Sequence, residues 1–268
     1  MTPFQKTVKY IAMAFAIFLT VSIIGGMLSV FGLFSGFWGG DAVIENVKTY
    51  TVSSDINALD VKINAADFQI KQGEAFSVES NLKHLTVEDK DGVLTIKETK
   101  KFGSTYTGAI LTLYIPADTV FEKANIVTGA GRFTVDYLSA DAMNFELGAG
   151  EVTIGSLIAA KYADIEGGAG KITIADGALN NLDLEMGVGQ LNLTSVLSGD
   201  CSLDSGVGEM NVTLLGNKED YKLDLEKGIG NISVDGDNIS GNSNIGNGIN
   251  EVEIHGGIGA IHVKFKDK

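Results

Sequence analysis

Apolar and polar residues alternate along the second half of the chain, and a Gly-x-Gly triplet interrupts the alternation at intervals. In every copy an apolar residue stands three positions before the first glycine, and two more stand four and six positions after it. Alternation with a period of two on both sides of a glycine triplet predicts a strand, a tight corner and a second strand. The seven triplets begin at Gly129, Gly148, Gly168, Gly187, Gly206, Gly228 and Gly257.

The spacing of the triplets predicts a solenoid. The first five begin 19 or 20 residues apart, and the last two gaps widen to 22 and 29 residues. Each period ends with a short third apolar segment, such as Leu138 or Leu157, and a fixed period near 20 residues is typical of stacked repeats. We therefore predict an all-β fold, a parallel and three-sided β-solenoid with rungs of about 20 residues stacked in chain order. Its winding is predicted to be right-handed and β-helix-like, because the six-residue repeat typical of left-handed coils is absent.

The middle residue of the triplet changes along the chain. It is alanine in the first copy, at Ala130, and isoleucine in the last, at Ile258. The pattern therefore predicts a corner column that faces inward.

The glycine-rich stretch Glu166–Ile174 (EGGAGKITI) also invites comparison with a phosphate-binding loop and with a calcium-binding repeat. A Walker loop needs a glycine five residues before its Gly-Lys pair, where this chain has Ile165, and a Ser or Thr where it has Ile172. A calcium repeat needs Asp two residues after its last glycine, and that position is again Ile172. The glycines are therefore predicted to be backbone corners.

Residues 45–123 are predicted to continue the stack as a strand-rich N-terminal cap. Val61–Ile70 superposes on Phe145–Ile154 without a gap, and Val87–Ile96 does so too, although Lys90–Gly92 fits a hairpin turn equally well. Terminal repeats are expected to be irregular, because they close the ends of the stack. A separate domain is the alternative that this pattern leaves open.

Residues 10–40 carry no charge and exceed the roughly 20 apolar residues that cross a bilayer. We predict an uncleaved transmembrane helix over residues 10–34, followed by a linker over residues 35–44. Lysines precede the span and acidic residues follow it, so residues 1–9 are predicted to be cytoplasmic and the remainder extracellular, in a single-pass protein of the cell membrane. The alternative, a cleaved signal peptide, would have a shorter apolar core of about 7–15 residues.

The charge of the repeat region narrows the range of partners. Residues 124–263 hold 20 Asp and Glu against 6 Lys and Arg, ahead of a short basic tail at residues 264–268. A surface of this sign is unfavourable for nucleic acid and for anionic lipid, so no nucleic-acid partner is expected. It suits a cationic or cell-envelope ligand, or serves solubility alone. The single cysteine, Cys201, leaves no disulfide framework within the chain.

A column of carboxylates is the candidate binding site. Two residues before the first glycine, five rungs carry an acidic residue, and stacking would place these residues about 5 Å apart. Like charges at that spacing repel by about 1 kcal/mol in water, and a cationic partner or divalent ions would relieve the repulsion. The alternative is a solvated strand face without a ligand. The acidic column comprises Glu146, Glu166, Glu185, Asp204 and Glu226.

No catalytic residue, metal ligand or cofactor is predicted. A glycosidase needs two carboxyl groups in different environments, whereas the acidic column offers five similar ones. His255 and His262 fall on the final rung, and the pattern supplies no further zinc ligands beside them. We therefore expect a protein that is not an enzyme.

The uncharged N-terminal segment, the strand Leu111–Pro116 (LTLYIP) and the serial Gly-x-Gly rungs together resemble the bacterial putative-adhesin β-solenoid family. The resemblance covers roughly residues 45–263, nearly all of the chain beyond the predicted anchor. It implies a membrane-anchored surface module, common in Gram-positive bacteria, with an adhesin-like or envelope-scaffold role and no catalytic residues. Related domains accompany membrane-stress signalling systems. The alternative function is therefore an accessory or sensor protein whose span contacts other membrane proteins.

Overall fold

The computed structural model of the chain describes residues 44–52, 55–99 and 106–267. Apart from one short 3-10 helix, the regular elements in these ranges are all β-strands, which confirms the all-β prediction. None of the described residues belongs to a helix that is long and apolar enough to cross a membrane. The predicted anchor over residues 10–34 lies outside the described residues.

Fourteen strands and the 3-10 helix follow one another along the described chain. Their bounds are β1 Ile44–Thr51, β2 Ala58–Gly73, β3 Ser77–Leu82, β4 Leu85–Lys90, β5 Val93–Glu98, β6 Ile110–Pro116, β7 Phe121–Ile174, β8 Gly177–Asn180, β9 Leu182–Ser198, β10 Asp200–Leu215, the 3-10 helix Lys218–Asp220, β11 Tyr221–Val234, β12 Asp237–Ile239, β13 Ser243–Ile245 and β14 Asn250–Lys266. The strand β7 is 54 residues long and contains three of the Gly-x-Gly corners.

The strands belong to one sheet, whose main path runs β1-β3-β6-β2-β7-β8-β9-β10-β14-β11-β12. The rungs pair in parallel, β2 with β7, β7 with β9 and β9 with β10, so the predicted solenoid-like stack is confirmed. Partners stand one repeat apart in the sequence, as Leu184 opposite Leu203 shows. The right-handed winding and the three-sided cross-section stay predictions.

The alternating pattern places one apolar column in the middle of the stack. The residue three positions before each triplet is at most 1% exposed. Each rung pairs its backbone with the rungs on either side, so these side chains are buried without unpaired polar groups around them. Burying each of them contributes about 1.5–3 kcal/mol. The column consists of Ile126, Phe145, Ile165, Leu184, Leu203, Leu225 and Ile254.

The strand β2 forms the first full rung, with Val61 opposite Ile126. On its other side the layer is shared by two strands, since β5 pairs with the first half of β2 and β6 with the second half. The strands β4 and β5 form an antiparallel hairpin, whose turn residues Asp91 and Gly92 have φ values of 53° and 78°. Positive φ at both positions reverses the chain within two residues. The hairpin alternative is therefore correct, and the superposition of Val87–Ile96 on a rung is wrong.

The last rung does not lie where chain order would place it. The strand β14 lies between β10 and β11 and pairs in parallel with both. The end rung is β11, and β12 and β13 fold back on it as antiparallel strands. After β13 the chain returns through Gly246 towards the space between β10 and β11. A side chain would not fit at Gly246, because an added Cβ would lie 2.3 Å from the carbonyl oxygen of Tyr221. The predicted chain order is therefore wrong for the last two rungs, because β12 and β13 occupy the outer side of β11.

Candidate functional site

Each corner requires glycine for two reasons. At the second glycine of all seven triplets φ lies between 121° and 150°, a region that residues with a Cβ rarely adopt. Successive corners also approach too closely for a side chain. At Gly208 an added Cβ would lie 1.7 Å from the carbonyl oxygen of Gly189. The glycines are backbone corners, as predicted.

The middle residue of the triplet faces solvent. Ile229 is 48% exposed and Ile258 is 37% exposed, whereas the residue before the triplet is buried at Leu147 and Met186. The predicted inward-facing corner column is therefore wrong, and in the rungs of Leu147 and Met186 the side chain directly before the triplet points inward instead. In four neighbouring rungs the middle residues form an aliphatic ridge, which consists of Val188, Val207, Ile258 and Ile229.

Four of the five predicted site residues lie in successive rungs. Glu166 stands opposite Glu185, and Glu185 stands opposite Asp204. Glu146 belongs to the rung before Glu166, since the corner of that rung lies directly against the next one at Gly168. Because these four residues occupy the same position in their rungs, they form one line along the stack.

The fifth residue, Glu226, does not follow Asp204 directly. His255 stands between them and lies opposite both. Its Nδ1 atom lies 3.0 Å from Oδ1 of Asp204, within hydrogen-bond distance. The prediction of five carboxylates in consecutive rungs is therefore wrong at this point, because β14 is inserted there. The sequence held a signal for His255, since it too stands two residues before a triplet.

The carboxylates of the acidic column are crowded. Partial desolvation raises the pKa of the exposed Glu185 carboxyl, and the charges of Asp183, Asp204, Glu166 and Asp164 raise it further. The pKa of Asp183 is raised as well, first by burial and then by Asp164 and Asp204. Both shifts have the sign expected for like charges held close together. Among the residues that the structure describes, no Lys or Arg forms an ion pair with the acidic column.

On the other side of the corner, basic and acidic side chains alternate from rung to rung. Arg132 lies between Asp67 and Glu151 of the neighbouring rungs, with nitrogen–oxygen distances of 3.5 and 3.8 Å. The next two rungs carry Lys171 and Gln190 at the same position. Charges of alternating sign offset one another on that side. The acidic column instead repeats one sign from rung to rung.

A groove runs along the stack beside the glycine corners. Its volume is about 580 Å³, and it extends from the rung of Val127 to the rung of Glu226. Its lining includes the acidic column and the first glycines of six of the triplets, together with Leu147 and Met186. The residues of the aliphatic ridge are not part of this lining, but each of them directly follows a lining glycine, so the ridge lies next to the groove.

Repeated carboxylates give the groove a negative potential, which attracts cations. The carboxylates have different neighbours, since the pKa of Glu185 is raised and Asp204 lies within hydrogen-bond distance of His255. Cys201 is buried outside the groove, and burial raises the pKa of its thiol, which lowers the fraction present as the nucleophilic thiolate. Among the described residues no three His, Cys, Asp or Glu side chains are placed to hold a metal ion together.

Parallel rungs stacked around one apolar core define the class of this protein, an all-β, solenoid-like repeat protein. The Toastrack DUF4097 family matches residues 56–248, and the chain belongs to that family. The match confirms the resemblance to bacterial putative adhesins that the sequence suggested.

Solved structures of low sequence identity are also similar to this chain. A putative adhesin from Parabacteroides distasonis is 16% identical, with 83% of this chain and 100% of that chain covered and a TM-score of 0.42. A putative cell adhesion protein from Clostridium sporogenes is 14% identical, with 82% and 99% covered and a TM-score of 0.39. A putative lipid binding protein from Parabacteroides distasonis is 15% identical, with 83% and 98% covered and a TM-score of 0.38. The comparison with curated proteins found no match.

Proposed function

We propose that this protein is a non-catalytic surface module of the bacterial envelope that binds a cationic ligand along the groove. The observation that carries this proposal is the acidic column, in which Glu146, Glu166, Glu185 and Asp204 repeat one offset and all line the groove. Their mutual repulsion is relieved when a cation lies beside them, so relief of repulsion adds to the free energy of binding. Around Arg132 the charges of opposite sign already offset one another, so a bound cation would relieve no comparable repulsion there.

The same proposal includes attachment to the cell membrane, with the helix predicted over residues 10–34 as the anchor. The uncharged length of that segment and the lysines before it support this topology. In intact protoplasts, added protease should remove the chain beyond about residue 41, as detected by antibody against the C-terminus. Full protection of the C-terminus would contradict the anchored, extracellular arrangement.

Binding along the groove can be tested by removing charge without changing side-chain size. The full-length chain, in nanodiscs of zwitterionic lipid, is titrated at low salt with a peptide made of lysine and serine. The triple variant Glu146→Gln, Glu166→Gln and Glu185→Gln should bind it about tenfold more weakly, since each exposed ion pair contributes about 0.2–1 kcal/mol. Its affinity should also depend less on salt, because attraction between exposed charges is screened.

A control variant carries the same change in net charge outside the groove. Glu88, Glu122 and Glu219 are exposed and do not line it, so their replacement by glutamine should leave the affinity within about twofold of the parent chain. Equal weakening in both triple variants would mean that the peptide responds to net charge alone. An unchanged affinity in the groove variant would show that the acidic column is only a solvated face. Either result would overturn the proposed function.

A further inference from the structure

The groove changes in character from one end to the other. The middle residue of the triplet directly follows a glycine of the groove lining, and its side chain grows in the spatial order of the rungs. This order differs from chain order only because β14 is inserted before β11. Along the stack the residues are Ala149, Ala169, Val188, Val207, Ile258 and Ile229.

The charge of the groove changes in the opposite direction. Carboxylates follow one another without interruption from Glu146 to Asp204. Beyond Asp204 the column is interrupted by His255, and Lys227 joins the lining beside Glu226. One end of the groove lining is therefore anionic and lies next to alanines, and the other end is less charged and lies next to isoleucines.

We propose that the groove binds a polypeptide segment that is cationic at one end and aliphatic at the other. Its cationic end lies towards Glu146, and its aliphatic end packs on Ile258 and Ile229. This inference rests on the proposed function and adds the chemical class of the ligand and its direction in the groove. The two end rungs are five spacings of about 4.8 Å apart, or about 24 Å, which an extended segment of about seven residues covers.

Charge complementarity selects this ligand among the possible occupants. An anionic lipid surface would be repelled by the carboxylates from Glu146 to Asp204. A small cation would be attracted by them but would leave the aliphatic ridge unused. A polypeptide with adjacent basic and aliphatic residues uses both surfaces at once, and it can follow a groove of this length.

The exposed isoleucines can contribute to affinity without any change in the fold. Ile229 and Ile258 are 48% and 37% exposed and stand opposite each other in paired strands, so they form a continuous apolar contact. Covering them with aliphatic side chains removes apolar surface from water on both partners. We expect this contact to strengthen binding about tenfold over charge alone.

The test compares two peptides of equal length and equal charge on the full-length chain in zwitterionic nanodiscs, with empty nanodiscs as the reference. One peptide has a lysine run followed by a leucine run, and the other has serine in place of leucine. The leucine peptide should bind about tenfold more tightly. In the double variant Ile229→Ser and Ile258→Ser this advantage should disappear, while the affinity for the serine peptide stays the same.

A matched control is available in Ile249, which is 91% exposed and does not line the groove. Ile249→Ser should leave both affinities unchanged, and thermal melts should show that every variant is folded. A photo-crosslinker placed in the leucine run should label the rungs of β11 and β14, and one in the lysine run should label β7. Crosslinks in the reverse order would refute the proposed direction.

The outcomes separate this inference from the proposed function. If both peptides bind equally and the serine variants bind as the parent chain does, then charge alone acts and the two-ended ligand is refuted, while the proposed function stands. If the groove triple variant also binds both peptides as tightly as the parent chain, the proposed function fails together with it.

Discussion

His255 and Asp204 are 51 residues apart in the sequence, yet Nδ1 of His255 lies 3.0 Å from Oδ1 of Asp204. The contact exists because β14 lies between β10 and β11, which brings the last triplet of the chain next to the fifth. The inserted rung therefore also decides the composition of the groove, since it places a histidine within the acidic column.

Crosslinking can test the order of the last rungs. With Cys201 replaced by alanine, the pair Asp204→Cys and His255→Cys should form a disulfide on mild oxidation. Paired strands are about 4.8 Å apart, which is within the Cα separation that a disulfide spans. The product can be detected by its altered mobility on a non-reducing gel.

The pair Asp204→Cys and Glu226→Cys is the control. These positions are two strand spacings apart, about 9.6 Å, which exceeds the reach of a disulfide. Efficient crosslinking of the control, with none for the first pair, would show that the rungs stack in chain order after all.

Two glycines with positive φ, Gly236 in the turn between β11 and β12 and Gly208 in a corner, allow the cost of backbone conformation to be separated from the cost of close packing. Gly236→Ala should lower the free energy of unfolding by about 1–3 kcal/mol, because φ is 91° there but nothing lies within 4 Å of the added Cβ. Gly208→Ala combines a φ of 145° with a carbonyl oxygen 1.7 Å away, so it should cost more than about 4 kcal/mol. Urea denaturation measures both, and equal losses would contradict the close stacking of the corners.

The apolar column can be tested with a buried charge. Leu184→Asp should destabilise the chain by several kcal/mol, because Leu184 is fully buried and the new carboxylate has no partner. The control is Asn192→Asp, since Asn192 points outward and its side-chain oxygen accepts a hydrogen bond of 3.1 Å from Asn211, which an aspartate can still accept. Its cost should stay below about 1 kcal/mol, and a similar loss at both positions would mean that the inward and outward faces of β9 are misassigned.

The crowding of the acidic column predicts an unusual dependence of stability on pH. The pKa of Glu185 is raised in the folded chain above its ordinary value of 4.5, so the folded state holds this proton more tightly than the unfolded state does. Stability due to this group therefore falls as the pH rises from the ordinary pKa through the folded one. Glu185→Gln should be more stable than the parent chain at neutral pH, by less than about 1 kcal/mol because the carboxyl is exposed and screened.

Acidification should remove this advantage, because the parent carboxyl then becomes neutral as well. Glu151→Gln is the matched control, since Glu151 faces Arg132 on the other side of the corner and its loss relieves no repulsion. Thermal melts over a range of pH measure both variants. A Glu185→Gln chain that is less stable at neutral pH would show that the acidic column is not a source of repulsion.

The sequence by itself determined the rung and its two faces. A period of two places Leu184 and Leu203 inside and Glu185 and Asp204 outside, and it does so in every copy, because a strand turns alternate side chains to opposite faces. The glycine triplets likewise determined the corners, since only glycine combines a positive φ with such close stacking. These features depend on a few neighbouring residues, so they could be predicted without knowledge of the fold.

Only the tertiary structure decided which rung lies next to which. The triplets are nearly alike, so local sequence does not show whether β11 or β14 pairs with β10. The outer side of β11 is closed by β12 and β13, and this leaves the gap beside β10 for β14. For the same reason the place of His255 beside Asp204 could not be predicted, since it depends on packing between rungs that are distant in the chain.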